Sequence, residues 1–171
     1  MDASEKKFDA AKQRFEAILS KDKKNLQAML ALASLAATRG DKTESVSWLE
    51  KAKTENPKAQ QPLLALSRYH LQNGELKKAL EAAHQGEAIN PEGPEMLDTL
   101  GLAQLANNDR DGALATFGKL ARLEANSPLA HFRLAAAQAA LENRAASTLS
   151  LKRALELKPD FQDALVLLAG I

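Results

Sequence analysis

Residues 90–126 read NPEGPEMLDTLGLAQLANNDRDGALATFGKLARLEAN. A Pro-bounded helix opens the stretch, with Leu97, Leu100 and Gly101 at i, i+3 and i+4 on one face. Asn107-Asn108-Asp109 carries turn chemistry. Ala113, Leu114, Phe117, Leu120 and Ala121 then repeat the helical pattern on a second segment. Moved by 34 residues in either direction, the stretch meets copies of itself.

The copies keep register column by column. Pro57 and Pro91 are 34 apart, Ala125 stands in the next slot and Pro159 in the one after. The turn column runs Gly40, Gly74, Asn108, Glu142. An apolar column runs Leu32, Leu66, Leu100, Leu134, Leu168. Two small-residue columns run Ala33, Ser67, Gly101, Ala135, Ala169 and Ala11, Ser45, Ala79, Ala113, Ser147. Five columns in one register define an array of helix-turn-helix repeats. The expected fold is all-α, a superhelical solenoid of antiparallel helix pairs. Neighbouring pairs must stack, because one pair cannot bury its apolar face alone. Complete repeats are expected at 26–59, 60–93, 94–127 and 128–161. They are flanked by half-repeats at 1–25 (second helix only) and 162–171 (first helix only). The whole is expected to be one solenoid domain, a slice of a longer array.

Composition narrows the function classes. Hydrophobic residues make up 45% of the 171, enough for a continuous core. Lys and Arg number 23 against 22 Asp and Glu, a net charge of +1. That near-balance argues against a large nucleic-acid footprint, which would need a basic stripe, and aromatics are 4%, so no nucleic-acid partner is expected. No apolar run approaches the roughly 18 residues of a membrane span, so direct insertion of this segment is not expected. Cysteine is absent, which removes disulfides and thiolate metal sites.

Local signals place the helix ends. Gly40 closes a first helix, and Asp41-Lys42-Thr43-Glu44 resembles a capping box. Pro62 falls in a first helical turn, and Ser127-Pro128 pairs an N-cap residue with Pro at the first helical position. Small residues at Gly101 and Ala113 predict close approach of two helices. The first helix, about 4–20, sets Phe8, Ala11, Phe15, Ile18 and Leu19 along one face. The last, about 161–170, is expected to pack Leu165 and Leu168 inward and leave Val166, Leu167 and Ile171 uncovered.

The period and columns resemble the tetratricopeptide repeat over nearly the whole chain. Leu100, Gly101, Ala113 and Phe117 match, as do Leu66, Ala79 and Pro91, and Leu134, Ala135, Ala154 and Pro159. Met29, Leu63, Leu97 and His131 stand where that family opens a first helix with Trp. Ala36, His70, Gln104 and Gln138 stand where it has Tyr. More narrowly, SPLAHFRLAAAQAAL (127–141) and LKRALELKPDFQDALVLLAG (151–170) are similar to bacterial repeat lipoproteins associated with exopolysaccharide loci and the PEP-CTERM sorting system. That resemblance implies an exported, lipid-anchored parent; without it, a cytoplasmic scaffold is expected.

The family resemblance implies a non-enzymatic scaffold that binds a peptide or protein partner in a concave groove lined by first helices. Groove columns would then run Leu30, Leu64, Asp98, Phe132 and Ser34, Arg68, Leu102, with Leu71 and Leu105 in a third. Leu64, Leu71, Leu102, Leu105 and Phe132 would form an apolar trough, with Gln61, Arg68, Gln72, Glu95 and Asp98 as its polar rim. An exposed stripe of that kind marks an interaction surface. The same leucines would equally complete packing between adjacent repeats, and both readings stand at this point. Family members that grip a terminal carboxylate use Lys and Asn where Leu30, Ser34, Leu64 and Arg68 stand here, so that clamp is absent.

No cofactor, metal or catalytic centre is expected. His70, His84 and His131 lie in different repeats without metal-ligand spacing, and no glycine-rich phosphate loop is present. Trp48, the only Trp, sits beside a packing face and is read as edge packing. A rigid spacer within a larger assembly, or the regulatory array of an enzyme with its catalytic domain elsewhere, are the alternative functions.

Overall fold

The computed structural model of the chain describes residues 3–171, with side chains described from residue 7. The first two residues of the expected half-repeat 1–25 lie outside them. Among the described residues there are ten α-helices and no strand. They are α1 (Ala3–Lys21), α2 (Leu26–Thr38), α3 (Lys42–Glu55), α4 (Gln61–Gln72) and α5 (Leu76–Ile89). They continue as α6 (Pro94–Ala106), α7 (Arg110–Leu123), α8 (Pro128–Ala140), α9 (Arg144–Leu157) and α10 (Gln162–Ala169). The fold is an all-α helical repeat array. Two compact units divide it, Met1–Leu66 and Ser67–Ile171.

The corners follow from one column of the sequence. Gly40, Gly74, Asn108 and Glu142 all have left-handed backbones, with φ of 79°, 72°, 62° and 60°. At each, the next residue's N–H reaches back five positions: Asp41 to the Ala36 carbonyl (2.9 Å), Glu75 to His70 (2.9 Å), Asp109 to Gln104 (2.8 Å) and Asn143 to Gln138 (2.9 Å). These are Schellman turns, which satisfy the last carbonyls of the first helix. The residue that closes each turn also opens the next helix. Asp41, Asp109 and Asn143 accept from the N–H groups of Glu44, Gly112 and Ala146. Glu75 departs: its carboxylate accepts from His70 Nδ1–H (2.5 Å) and Lys78 Nζ (2.9 Å) and makes no cap. The Lys78 hydrogen bond first, and His70 second, hold its pKa below the ordinary 4.5.

In unit Met1–Leu66 the buried cluster is Leu19, Ala28, Met29, Leu32 and Ala52, with Phe15, Leu26, Leu30 and Trp48 packed around it. Asn25 caps α2 through the Ala28 N–H. The expected capping box forms only in half, because Glu44 turns away from Asp41. Its Oε1 accepts from Lys12 Nζ (2.6 Å) and from Trp48 Nε1 (3.4 Å). The Lys12 hydrogen bond lowers the Glu44 pKa, and Glu44 raises that of Lys12. Ile18, expected on the packing face of α1, is instead exposed (41%), while its neighbour Leu19 is buried. With 100° between successive helical residues, only one of the two reaches the centre of the seam.

In unit Ser67–Ile171, one core gathers Leu97, Ala113, Phe117, Leu120, Ala121, Ala130 and Ala137. A Cβ at Gly101 would run into the fully buried Phe117 ring, so glycine is what lets α6 and α7 close around that ring. A second core joins Ala135, Leu151, Ala154 and Ala164. The small-residue columns also carry polar ties across a pair. Ser67 Oγ donates to the Ala79 carbonyl (2.8 Å) and Ser147 Oγ to that of Ala135 (2.9 Å), both buried. At the C-terminal end the expected face of α10 is corrected. Ala164, Leu167, Leu168 and Ile171 meet the second core, whereas Leu165 and Val166 are exposed. The spacing i, i+3, i+4, i+7 from Ala164 explains the choice.

Candidate functional site

The residues expected along a groove are placed as follows. In unit Met1–Leu66, Ser34 and Gln61 are exposed and Leu64 is half-buried. Leu30 is also half-buried and leans on the Leu19–Met29 cluster. In unit Ser67–Ile171, Arg68, Gln72 and Glu95 are exposed, and Leu71 and Asp98 are half-buried. Leu102 and Leu105 are half-buried against the Leu97–Phe117 core. Phe132 packs its ring on Phe161, with centroids 5.2 Å apart. Part of the apolar surface that the family resemblance assigns to a trough therefore also joins neighbouring helices.

Three of the polar residues converge. Arg68 from α4, and Glu95 and Asp98 from the first turns of α6, line one depression of about 270 Å³. Pro94, Leu120, Glu124, Leu129 and Ala130 complete it. Leu120 and Ala130 are buried, but Leu129 is 44% exposed, so the floor presents aliphatic surface to solvent. Pro94 and Pro128 start α6 and α8, where a missing N–H costs nothing, and so fix the two helix ends that border the depression.

The charges inside it are partly committed. Asp98 receives Arg133 Nε on Oδ1 (2.6 Å) and Nη2 on Oδ2 (3.5 Å), a two-point pair between α6 and α8. Arg68 donates through Nε to Thr99 Oγ1 (3.3 Å), and Thr99 in turn donates to the Glu95 carbonyl (2.9 Å). This lays the Arg68 side chain toward α6 and holds its guanidinium at the lip of the depression. Glu95 and Glu124 have no cationic partner among the described residues.

Arg133, Thr99, Glu124 and Leu129 were not among the expected site residues. For Arg133 and Thr99 the signal lies in cross-repeat offsets rather than in columns. Arg68–Thr99 and Asp98–Arg133 are separated by 31 and 35 residues, one period less three or plus one. Complementary residues at those separations mark contacts between successive first helices.

A second depression, about 550 Å³, lies in unit Met1–Leu66 between α1 and α3, lined by Glu16, Leu19, Ser20, Lys23, Trp48, Lys51 and Glu55. There the Lys51 ammonium lies 4.9 Å from the centre of the indole. Among the described residues, no group of three or more His, Asp or Glu is placed to hold a metal ion. No helix among them is long and apolar enough to cross a membrane.

Comparison with known proteins agrees with this architecture. Residues 4–60 match the tetratricopeptide repeat family model. No curated protein sequence matches the chain. Among solved structures, MamA superposes with a TM-score of 0.77 at 21% identity, over 93% of this chain and 96% of that one. YrrB, described as a TPR protein with an unusual peptide-binding site, gives 0.79 at 19% identity over 96% and 85%. TTC0263 of Thermus thermophilus, a thermophilic TPR protein, gives 0.72 at 21% over 98% and 91%. The chain has the fold of a tetratricopeptide repeat array, and its residues 4–60 carry that family's sequence pattern.

Proposed function

We propose that the chain is a non-catalytic interaction scaffold that holds an extended peptide, or an exposed segment of a partner protein, against its first helices. The observation that carries this is the convergence of Arg68, Glu95 and Asp98, from two successive first helices, on one depression with an exposed aliphatic floor. Polar groups around apolar surface are what fix a bound segment's orientation and supply its burial. The peptide-binding site of YrrB, a structural neighbour of the same repeat type, supports the class. The repeat frame of this reading is 26–59, 60–93, 94–127 and 128–161, with half-repeats at either end.

The test is selection from a random peptide library against the intact chain. Enriched peptides should lose binding to Arg68→Glu and Leu129→Asp variants that keep the helical circular dichroism. Amide shifts on titration should cluster at Arg68, Glu95, Asp98 and Leu129. Shifts confined to Trp48 and its neighbours would move the function to the other depression.

The packing of Leu102, Leu105 and Phe132 favours a second reading, a spacer whose first-helix surface binds nothing. Under it, Leu64→Glu and Phe132→Glu leave every interaction of the parent protein intact. An envelope setting draws on the phrasing of 127–141 and 151–170. Mass spectrometry of the native N-terminus decides it, since a lipidated cysteine is required.

A further inference from the structure

Resting on the scaffold reading, we infer that the depression between α6 and α8 takes a basic–apolar segment: an aliphatic side chain accompanied by Lys or Arg. Of the charges that line it, one is already neutralised and one, Arg68, keeps its positive charge. Asp98 is neutralised by the two-point contact from Arg133, and the side-chain relative exposures of that pair are only 22% and 24%. Arg68 is tied through its Nε to Thr99. Against that one cation stand two carboxylates, Glu95 and Glu124, which line the same depression as Pro94, Leu120 and Leu129 and have no ion-pair partner among the described residues.

The two carboxylates are held differently by their helices. Glu95 lies in the first turn of α6, where the partial positive charge of the helix end favours it. Glu124 is the C-cap of α7, where the helix end is negative and disfavours an anion. An unpaired acid at that end is unfavourable for the free chain and is relieved by an incoming cation. Leu129, 44% exposed, sits in the same depression and supplies the apolar contact. The free N–H edge of Arg68 is left for a backbone carbonyl of the segment, which fixes its direction. An acidic segment would instead face two unpaired carboxylates with one tethered guanidinium to set against them.

The experiment titrates the intact chain with three labelled Ser/Gly-hosted peptides whose centres are Arg-Leu-Arg, Ser-Leu-Ser and Glu-Leu-Glu. Binding is read by fluorescence anisotropy and by amide shifts. Arg-Leu-Arg should bind tightest, weaken with added salt, and lose about tenfold in affinity with each of Glu95→Gln and Glu124→Gln. Both substitutions are at exposed positions, and circular dichroism checks that the helices persist. If Glu-Leu-Glu binds tightest and depends on Arg68→Gln, the basic partner class is overturned while the interaction site stands. If Arg-Leu-Arg binds equally well to Glu95→Gln, Glu124→Gln and Leu129→Asp, or no peptide shifts the amides around α6 and α8, the inference fails, and the site falls with it.

Discussion

The pairs α6/α7 and α8/α9 occupy equivalent places in the repeat and reach the same packing by different means. In α6/α7 the volume sits on one side, with Gly101 receiving the ring of Phe117. In α8/α9 it is shared, Ala135 facing Leu151 in the same two columns. Polar groups trade in the same way. Ser147 ties α9 to the Ala135 carbonyl, whereas Ala113 in its column has nothing to donate. Gln138 Oε1 accepts from Ser150 Oγ (2.8 Å), but the buried Gln104 Oε1 has no partner although Thr116 stands at the equivalent position. Between these two pairs the summed volume and the satisfied backbone are kept while residue identity changes.

The largest effect is expected where volume is concentrated. Phe117→Ala should lower unfolding free energy by about 3–5 kcal/mol, because a fully buried ring leaves a cavity between two helices. Gly101→Ala should cost about 1–3 kcal/mol by overpacking against that ring. The same Gly101→Ala change in a Phe117→Leu background copies α8/α9 and should cost little. A double-mutant cycle by urea unfolding checks this, and additive costs would break the volume-trade account.

The polar trade separates the two glutamines. Gln138→Leu strips Ser150 Oγ of its acceptor and should destabilise by about 1 kcal/mol. Gln104→Leu removes an acceptor that is already unpartnered and should be neutral or stabilising. Equal losses in both would show that Gln104 is satisfied in solution, by Thr116 or by water.

The corners sharpen the comparison further. Glu142 adopts a left-handed backbone without being glycine, and Glu142→Gly should stabilise by about 1 kcal/mol, less the entropy glycine itself loses. The gain should appear in thermal unfolding; a loss would mean the Glu142 side chain contributes more than its backbone strain. The smallest effect concerns Glu75, whose depressed pKa comes from Lys78 first and His70 second. A carboxylate with a lowered folded-state pKa stabilises above its unfolded value, here 4.5, and that contribution fades as pH falls through the folded value. Lys78→Ala should therefore flatten the stability profile below about pH 4.5 and leave its shape near neutrality unchanged.

These contrasts also mark what the sequence makes legible. The turn column was readable because the αL backbone demands Gly or Asn, and Gly40, Gly74 and Asn108 announce it; Glu142 follows by register alone. The helix pairing was readable because apolar residues at i, i+3 and i+4 define one face. Of the residues that line the depression, Arg68, Glu95 and Asp98 were named from the sequence. Arg133 and Leu129 were not, because contacts between repeats depend on side-chain reach across an offset that a column alignment hides. The capping box forms only in half for a similar reason, since Lys12 from α1 and Trp48 one turn on take the Glu44 carboxylate. Ile18 and Leu165 show the limit of period counting, where two adjacent apolar residues straddle a face and only packing selects one.

Several ties between neighbouring repeats are hydrogen bonds from side chains to backbone carbonyls. Asn107 Nδ2 reaches Leu76 (2.8 Å), Arg110 Nη1 reaches Ala140 (2.8 Å) and Arg144 Nη1 reaches Ile171 (3.1 Å). Within residues 67–171 helices pack on their neighbours and next-but-one neighbours in a linear succession. Such an object responds to tension as a spring in series. Under load one pair can give way while those on either side keep their own packing.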